Sequence, residues 1–191
     1  MKRLIGVIAM VGFTLIGMQA ASAGTLETGK NDRRGFFIGF GVGGGGIQFV
    51  APSVKRFRGA FLGDFKIGGA VNEKVLLMYD GSVAYTRIEG VDFDVTNSAF
   101  GVQWFVWDNL YVRPAVGFAV ATASVNSNGT TTSKDSKVSV GADFAAGYEF
   151  RFGKYFAVGP ELVYRYAHIR SDITNAHSHA FGGQASFLWY F

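Results

Sequence analysis

The sequence contains no cysteine and only three prolines among its 191 residues. Without cysteine there is no disulfide framework, and the scarcity of proline argues against a disordered, proline-rich chain. Beyond residue 23 no run of 18 apolar residues occurs, which argues against membrane-spanning helices. The charge is nearly balanced, with 18 Lys and Arg against 14 Asp and Glu, and the basic residues are scattered. The sequence therefore offers no long basic patch for nucleic acid.

Glycine and aromatic residues are abundant instead, with 27 Gly, 19 Phe and 8 Tyr. The densest glycine run, residues 35–50, contains a G-x-G-x-x-G pattern at Gly41, Gly43 and Gly46. A dinucleotide site needs a helix directly after this motif, whereas the apolar residues that follow here indicate a strand. We therefore expect these glycines to lie on one face of a strand, where they leave room for large side chains from other strands.

The first 23 residues have the three parts of a secretory signal peptide. Lys2 and Arg3 precede an apolar stretch, and Ala21-Ser22-Ala23 supplies the small residues of a cleavage site. We predict cleavage after Ala23, and an uncleaved membrane anchor is the alternative. Residues 24–34 are polar and predict a flexible periplasmic leader. Residues 35–191 predict one domain.

Eight later segments share a period of two in hydrophobicity. In the clearest of them, Val138, Val140 and Phe144 alternate with polar or small residues such as Ser139 and Asp143. Because a strand points successive side chains to opposite faces, each segment predicts a strand with one apolar and one polar face. The segments are 35–50, 59–71, 75–88, 93–106, 110–122, 137–152, 155–169 and 178–191.

Irregularities in this pattern give further predictions. The alternation in 93–106 holds only if its parity changes near residues 96–98, which predicts a β-bulge there. Pro114 and Pro160 fall inside strands, where each removes a ladder hydrogen bond, and we expect local bulges at both. The separators alternate between tight turns and longer or more polar stretches. The latter predict outer loops at 50–58, 89–92, 123–136 and 171–177.

The apolar faces have the features of a lipid-facing surface. Trp104, Trp107 and Trp189 all lie near the tight-turn ends of their strands, as in the aromatic girdle of a membrane barrel. A soluble β-sandwich or a soluble ligand-binding barrel is the alternative. We predict an all-β fold, an eight-stranded antiparallel up-and-down transmembrane β-barrel with its tight turns in the periplasm.

The polar faces then point into the barrel. An eight-stranded barrel is just wide enough for side chains to fill it, and buried charges persist when they are paired. We therefore predict a packed polar lumen with no wide diffusion pore. Use of two of its carboxylates as a catalytic pair is the alternative. The predicted ion-pair network comprises Asp64, Lys66, Asp80, Arg113, Asp143, Glu149, Arg151, Glu161 and Arg165.

Taken together, the signal sequence, the eight alternating segments and the aromatic C-terminus resemble the small eight-stranded bacterial outer-membrane proteins. These include the transmembrane domain of outer membrane protein A, outer membrane protein X and the opacity-type adhesins. Residues 158–166, VGPELVYRY, resemble a late strand of that superfamily. The resemblance covers residues 35–191 and implies a bacterial outer-membrane location, but no particular activity. It also implies a C-terminal assembly signal, carried by Phe187, Trp189 and Phe191 and recognised by the barrel assembly machinery.

Two groups of residues near the predicted outer end are candidate sites. His177, Ser178 and His179 could ligate a metal, or could form the site of a lipid acyl hydrolase or transferase. The alternative is a polar loop edge. A second group, Lys55, Arg56 and Arg58, could contact lipopolysaccharide phosphates, against the alternative of ordinary solvated loop charge.

The function that these features favour is a non-enzymatic barrel serving envelope structure or surface interaction, without a metal or cofactor. A lipid-modifying enzyme at the outer rim and a narrow channel for small hydrophobic molecules are the alternatives. The expected partners are outer-membrane lipids, lipopolysaccharide and the assembly machinery, with no nucleic acid. We expect the chain to be a monomer.

Overall fold

Antiparallel strands make up almost all of the described chain. The computed structural model describes residues 33, 35–51, 54–127, 130–170 and 175–191. The predicted signal peptide lies outside the described residues, as does the predicted leader except for Arg33. No helix in the described part of the chain is long and apolar enough to cross a membrane. The strands are β1 (Phe36–Ala51), β2 (Val54–Asn72), β3 (Val75–Ile88), β4 (Val91–Trp107), β5 (Leu110–Ser127), β6 (Thr130–Asp135), β7 (Ser139–Tyr148), β8 (Phe150–Phe152), β9 (Phe156–Arg170) and β10 (Asn175–Tyr190).

These ten segments form one closed barrel of eight strands. Neighbouring strands pair in chain order from β1 to β5, and β5 then pairs with both β6 and β7. The segments β6, β7 and β8 together form the sixth strand of the barrel. β7 and β8 pair with β9, and β9 pairs with β10. Closure occurs between β1 and β10, from Phe37 opposite Tyr190 to Val50 opposite His177. The predicted eight-stranded antiparallel up-and-down barrel is confirmed.

Outward-facing side chains form an apolar band around the barrel. Phe100 is 74% exposed, and Leu162 is 71% exposed. An apolar surface of this extent is unfavourable in water and favourable in lipid. Trp104 and Trp107 are exposed at the end that carries the tight turns, as predicted for an aromatic girdle. We call this the turn end and the opposite one the outer end, in keeping with the predicted orientation.

The bulge predicted near residues 96–98 does not occur. The ladder between β3 and β4 runs through this stretch without a register shift, and the shift in β4 lies between Phe105 and Trp107. Val95 is buried inside the barrel, and the Phe93 ring packs against the Phe49 ring. The prediction was wrong because it assigned every apolar residue to the lipid face, whereas the outer part of β4 points apolar side chains into the lumen.

The predicted outer loops at 50–58 and 123–136 are largely strand, and residues 171–174 of the loop predicted at 171–177 lie outside the described residues. β1 and β2 continue to Ala51 and Val54, and the β5–β6 hairpin continues to Ser127. Between β3 and β4 the turn is two residues long, and Glu89 and Gly90 both have positive φ, as in a type I′ hairpin. The prediction of a loop at 123–136 was wrong because serine and threonine, which are common in loops, form cross-strand polar pairs here. The hydroxyl oxygens of one such pair, in β5 and β6, are 2.9 Å apart.

Pro114 and Pro160 lie on the outward face without the predicted bulges. The β5–β7 and β9–β10 registers are unchanged across these prolines. Instead, the ladder is interrupted on the other side of each strand. β5 pairs with β4 at Val112 and again at Ala115, and β9 pairs with β7 and β8 on either side of Glu149. A gap in pairing, rather than an extra residue, therefore accommodates the missing N–H donor.

Candidate functional site

Inward-facing side chains fill the barrel in layers. A charged layer at mid-height separates an outer apolar layer from an inner apolar layer near the turn end. The lumen is therefore packed, as predicted, but less polar than predicted. The outer apolar layer comprises Ile47, Leu62, Ala84, Val95, Ala119, Ala145, Val163, Ala167 and Ala180. The inner apolar layer comprises Phe37, Leu76, Met78, Phe105, Tyr111, Ala157, Leu188 and Tyr190.

Glu161 of β9 lies at the centre of the charged layer. Its carboxylate accepts hydrogen bonds from Lys66 Nζ at 2.8 Å, from Tyr111 Oη at 2.6 Å and from the guanidinium of Arg113. The side chains of Glu161 and Lys66 are completely buried. Because buried ions are tolerated only when their charge and hydrogen-bonding groups are satisfied, these contacts hold one another in place.

Asp64 of β2 connects the remaining charges of this layer. Lys66 Nζ lies 3.2 Å from Oδ1 of Asp64, and Arg165 Nη2 lies 3.3 Å from its Oδ2. Arg113 lies 3.6 Å from the same carboxylate and forms a closer ion pair with Asp80. Cations and anions thus alternate within this layer, and each of these ions lies within 3.6 Å of at least one opposite charge.

Asp143 of β7 lies on the outer side of the charged layer. Its carboxylate accepts hydrogen bonds from Ser82 Oγ at 3.0 Å and from Asn97 Nδ2 at 2.7 Å. Two neutral hydrogen-bond donors, one on β3 and one on β4, therefore hold this carboxylate from across the lumen.

Gly41 of β1 leaves the space that this layer occupies. A Cβ atom at Gly41 would lie 2.4 Å from Nε2 of Gln184 and 2.7 Å from Oδ1 of Asp64. Gln184 donates to Asp64, so the two side chains fill the space beside the β1 backbone as a pair. The prediction that the β1 glycines make room for large side chains is confirmed at this position.

Arg33 closes the turn end of the lumen. It is buried, and its Nε lies 3.3 Å from the Glu149 carboxylate. Its other nitrogens donate to the carbonyls of Glu73 and Asp108, and its guanidinium carbon lies 3.4 Å above the ring centre of Phe105. Arg33 falls within the predicted flexible leader, and that prediction is wrong for this residue because its contacts hold it in the barrel. The sequence contains one indication of this role. The nine predicted network residues comprise five acids and only four bases, so a further base is needed to balance the buried charge.

Arg151 lies apart from the charged layer, at the turn end. It is half-buried, and its guanidinium carbon lies 4.6 Å above the ring centre of Tyr190. Its Nη2 donates to the Lys154 carbonyl at 2.9 Å. The Tyr190 hydroxyl donates to Glu149 at 2.8 Å. Of the predicted network, Glu149 and Arg151 thus form a second group with Arg33, and the other seven residues form the charged layer.

A vestibule of about 390 Å³ opens at the outer end of the lumen. Its walls are mainly apolar, with the packed rings of Phe49 and Phe93 and the side chains of Ile88 and Ile169. Its polar groups are Arg56, Thr122, Lys134, Asp135 and Ser136. The outer apolar layer and the charged layer lie below it, so the vestibule ends inside the barrel.

The three predicted lipopolysaccharide contacts lie at the outer hairpin of β1 and β2. Arg56 lines the vestibule and forms an exposed ion pair with Glu89 at 3.3 Å. Arg58 donates to the carbonyl of Phe57 at 2.9 Å. The side chain of Lys55 lies outside the described residues. Contact of these residues with lipopolysaccharide stays a prediction.

The histidines and the serine of the predicted catalytic group face opposite sides of β10. Ser178 is buried on the lumen side, whereas His177 and His179 point outward with the tyrosines of β9. The three side chains therefore do not converge. Within the described residues, no group of three or more His, Cys, Asp or Glu could hold a metal ion.

The predicted assembly-signal residues form an outward aromatic row along the β1–β10 seam. The ring centre of Phe40 lies 5.1 Å from that of Phe187 and 5.3 Å from that of Trp189. The ring centre of Phe36 lies 6.2 Å from that of Phe191. These contacts stabilise barrel closure, and recognition of the row by assembly machinery stays a prediction.

No protein-family model and no curated sequence matches this chain. Among solved structures, Ail, the attachment invasion locus protein of Yersinia pestis, matches with 14% identity and a TM-score of 0.54, over 81% of this chain and 99% of Ail. Neisserial surface protein A (NspA) matches with 16% identity and a TM-score of 0.57, over 82% of this chain and 97% of NspA. The structure of Ail in complex with the heparin analogue sucrose octasulfate matches with 14% identity and a TM-score of 0.55, over 80% of this chain and 99% of that one.

Likeness at such low identity shows the fold alone. The closed ladder, the apolar exterior and the charged interior define a membrane-spanning β-barrel. Within that class, the chain has the fold of the small eight-stranded bacterial outer-membrane barrels, as its sequence resemblance implied.

Proposed function

We propose that this chain is a non-enzymatic barrel with a closed lumen that serves envelope structure or surface interaction. The observation that carries the proposal is the charged layer, in which Lys66, Arg113, Asp64 and Glu161 fill the barrel between two apolar layers. A hydrated solute would have to displace several buried ion pairs to pass. Displacing one partner of such a pair leaves an uncompensated charge, which costs about 3–5 kcal/mol.

We infer that the barrel resides in a bacterial outer membrane. The apolar exterior, the fold and the signal-like first 23 residues support this location. Its partners would be the surrounding lipids and lipopolysaccharide, with assembly machinery acting on Phe187, Trp189 and Phe191, and it would act as a monomer. We infer no catalytic role for His177, Ser178 and His179, because the serine and the histidines face opposite sides of β10.

Planar bilayer recording tests the closed lumen. We expect the purified chain, reconstituted at the same protein density as a general porin, to give no stable, solute-permeable conductance. The porin is the positive control, because its conductance shows that the bilayers detect open pores. A large, stable conductance from correctly folded protein would contradict the proposal, because the charged layer would then not close the barrel.

A second candidate function is the capture of a small apolar molecule that carries an anionic group. The vestibule volume of about 390 Å³ is within the range of small-molecule sites. Phe49 and Phe93 offer an apolar surface, and Lys134 and Arg56 offer positive charge, although Arg56 also pairs with Glu89; Asp135 is the one carboxylate among the lining residues. Because the vestibule ends at the outer apolar layer, we propose capture at the outer end rather than passage along the lumen.

Ligand-observed NMR with decanoate, in lipid nanodiscs, tests this capture. Truncating Phe93→Ser removes one ring from the vestibule, and we expect roughly tenfold weaker binding, the effect of losing about 1.5 kcal/mol of apolar contact. The matched control is Phe57→Ser, an outward-facing ring beside Phe181, which should leave binding unchanged. Equal binding by all three proteins would assign the signal to the lipid and contradict capture.

A further inference from the structure

All three histidines of the chain lie together on the outward face of β9 and β10, near the outer end. His168 is directly opposite His177, and the two rings are stacked with centroids 5.0 Å apart and planes 15° apart. His179 follows on the same face, with its ring 5.5 Å from that of Tyr166. We call His168, His177, His179 and the adjacent Tyr164 and Tyr166 the histidine cluster. Neither proposed function uses it.

The position of the cluster matches the edge of the lipid-facing band. Outward residues along β9 towards the outer end are Leu162, Tyr164, Tyr166, His168 and Arg170. The sequence thus changes from a fully apolar side chain, through tyrosine and histidine, to a permanent charge. This order is expected where a surface leaves hydrocarbon and enters the headgroup region. The imidazoles therefore lie at the level of lipid headgroups.

Tyrosine hydroxyls fix the orientation of two of the rings. The hydroxyl of Tyr166 lies 2.8 Å from Nδ1 of His177, and that of Tyr164 lies 2.8 Å from Nδ1 of His179. On protonation both nitrogens of an imidazole become donors. The hydroxyls can then accept from Nδ1, while Nε2 donates to a further partner.

Within the described residues, no carboxylate forms an ion pair or a hydrogen bond with a histidine of the cluster. The carboxylates on β7 and β9, Asp143 and Glu161, face the lumen, Asp135 on β6 accepts a hydrogen bond from Thr122 of β5, and the described parts of β1 and β10 carry no carboxylate. On β1, the outward neighbours of the cluster are Gln48 and Val50. On the β7 side they are Val140 and, just before β7, Val138. Arg170 and Asn175 lie at the outer ends of β9 and β10. The backbone of Lys137 forms an isolated β-bridge with that of Arg170. Asp172 lies outside the described residues.

Protonation would therefore place two stacked positive charges, His168 and His177, next to each other, with Arg170 two residues further along β9. Like charges at this separation repel unless an anion lies between or beside them. Histidine changes its charge between about pH 5 and 8. Phosphate groups are the anions of the headgroup region, and charge-assisted hydrogen bonds to them are among the stronger polar contacts.

We propose that the histidine cluster is a binding site for the phosphate group of an outer-leaflet lipid, occupied at acidic pH and released towards neutral pH. This proposal rests on the inferred outer-membrane location. It concerns residues other than Lys55, Arg56 and Arg58. Protonated imidazoles supply both the charge and the Nε2 donors, and the tyrosines hold the rings in position.

Retention of phosphorylated lipid A tests the proposal. The full chain is reconstituted in phosphatidylcholine nanodiscs that contain diphosphorylated lipid A, washed in detergent at about pH 5.5 or about pH 7.5, and assayed for bound lipid by mass spectrometry. We expect roughly tenfold stronger retention at the lower pH, the effect of one added charge-assisted hydrogen bond. Dephosphorylated lipid A should show no such increase.

Variants separate the site from its surroundings. Replacing the three histidines together, His168→Asn, His177→Asn and His179→Asn, should abolish the increase at acidic pH. His177→Lys should instead retain the lipid at both pH values, since its charge persists. The control Lys154→Gln removes a cation at the opposite, turn end of the barrel and should behave as the unchanged chain.

Three results would overturn the proposal. These are equal retention at both pH values by the unchanged chain, an intact pH response in the folded triple variant, or complete displacement of lipid A by inorganic phosphate, which would make free phosphate the ligand. Failure of the chain to insert into the nanodiscs at all would instead contradict the inferred membrane location.

Discussion

Replacing Glu161 with glutamine is expected to lower the free energy of unfolding of the barrel by about 3–5 kcal/mol. The substitution keeps the size of the side chain but removes the anion that Lys66 and Arg113 share inside the lumen. Neither cation can reach water without opening the barrel, so both lose part of their compensation while they remain buried. Urea unfolding in lipid vesicles, followed by tryptophan fluorescence, measures the change.

Two further variants show whether the loss comes from unpaired charge. Glu89→Gln removes an exposed carboxylate that is paired with Arg56, and the expected change is below about 1 kcal/mol. Combining Glu161→Gln with Lys66→Met removes one cation along with the anion, and should recover part of the lost stability. If Glu161→Gln alone had an effect as small as Glu89→Gln, the charged layer would not depend on this carboxylate.

Replacing Gly43 with alanine is expected to destabilise barrel closure by about 3 kcal/mol or more, because the added atom meets backbone rather than a movable side chain. A Cβ atom at Gly43 would lie 2.1 Å from the carbonyl oxygen of Gly183 and 2.5 Å from Cα of Gln184. These atoms belong to β10, so β1 and β10 would have to separate at the seam. Loss of the folded band in cold gel electrophoresis, together with urea unfolding, measures the effect.

Gly44 provides the matched control in the same strand. Its nearest neighbour for an added Cβ is the carbonyl oxygen of Ala60 at 3.6 Å, an ordinary contact distance. Gly44→Ala should therefore be neutral or stabilising by up to about 1 kcal/mol, because alanine loses less conformational entropy in a strand than glycine does. Equal destabilisation by the two substitutions would show that close approach of β1 and β10 does not explain the glycine run.

The alternation of side chains was enough to predict the barrel because lipid and lumen impose opposite demands on successive residues. In β7, for example, Asp143 faces inward and Phe144 faces outward, as the sequence indicates. The same reasoning failed for Phe93 and Val95, because hydrophobicity does not distinguish lipid from an apolar layer inside the lumen. Both residues continue the inward parity of Ala99, which the sequence pattern alone did not reveal.

Sequence signals are weaker for the sites that depend on contacts between distant strands. Arg33 precedes the first alternating segment, and its contacts lie 40 or more residues away in the chain. The pairing of His168 with His177 depends on the register between β9 and β10, which the spacing of the two residues does not determine. For Ser178, by contrast, alternation with its neighbouring histidines already implied the opposite face.

Tryptophan fluorescence in vesicles of brominated phosphatidylcholine tests the central claim, that the apolar side of each strand contacts lipid while the charges lie inside. Trp104, Trp107 and Trp189 lie on the outward face near the turn end, and the chain contains only these three tryptophans. We predict strong quenching by lipids brominated near the headgroup, with little quenching by aqueous iodide. Strong iodide quenching without bromine quenching, from a chain that stays monomeric and soluble without detergent, would contradict the claim.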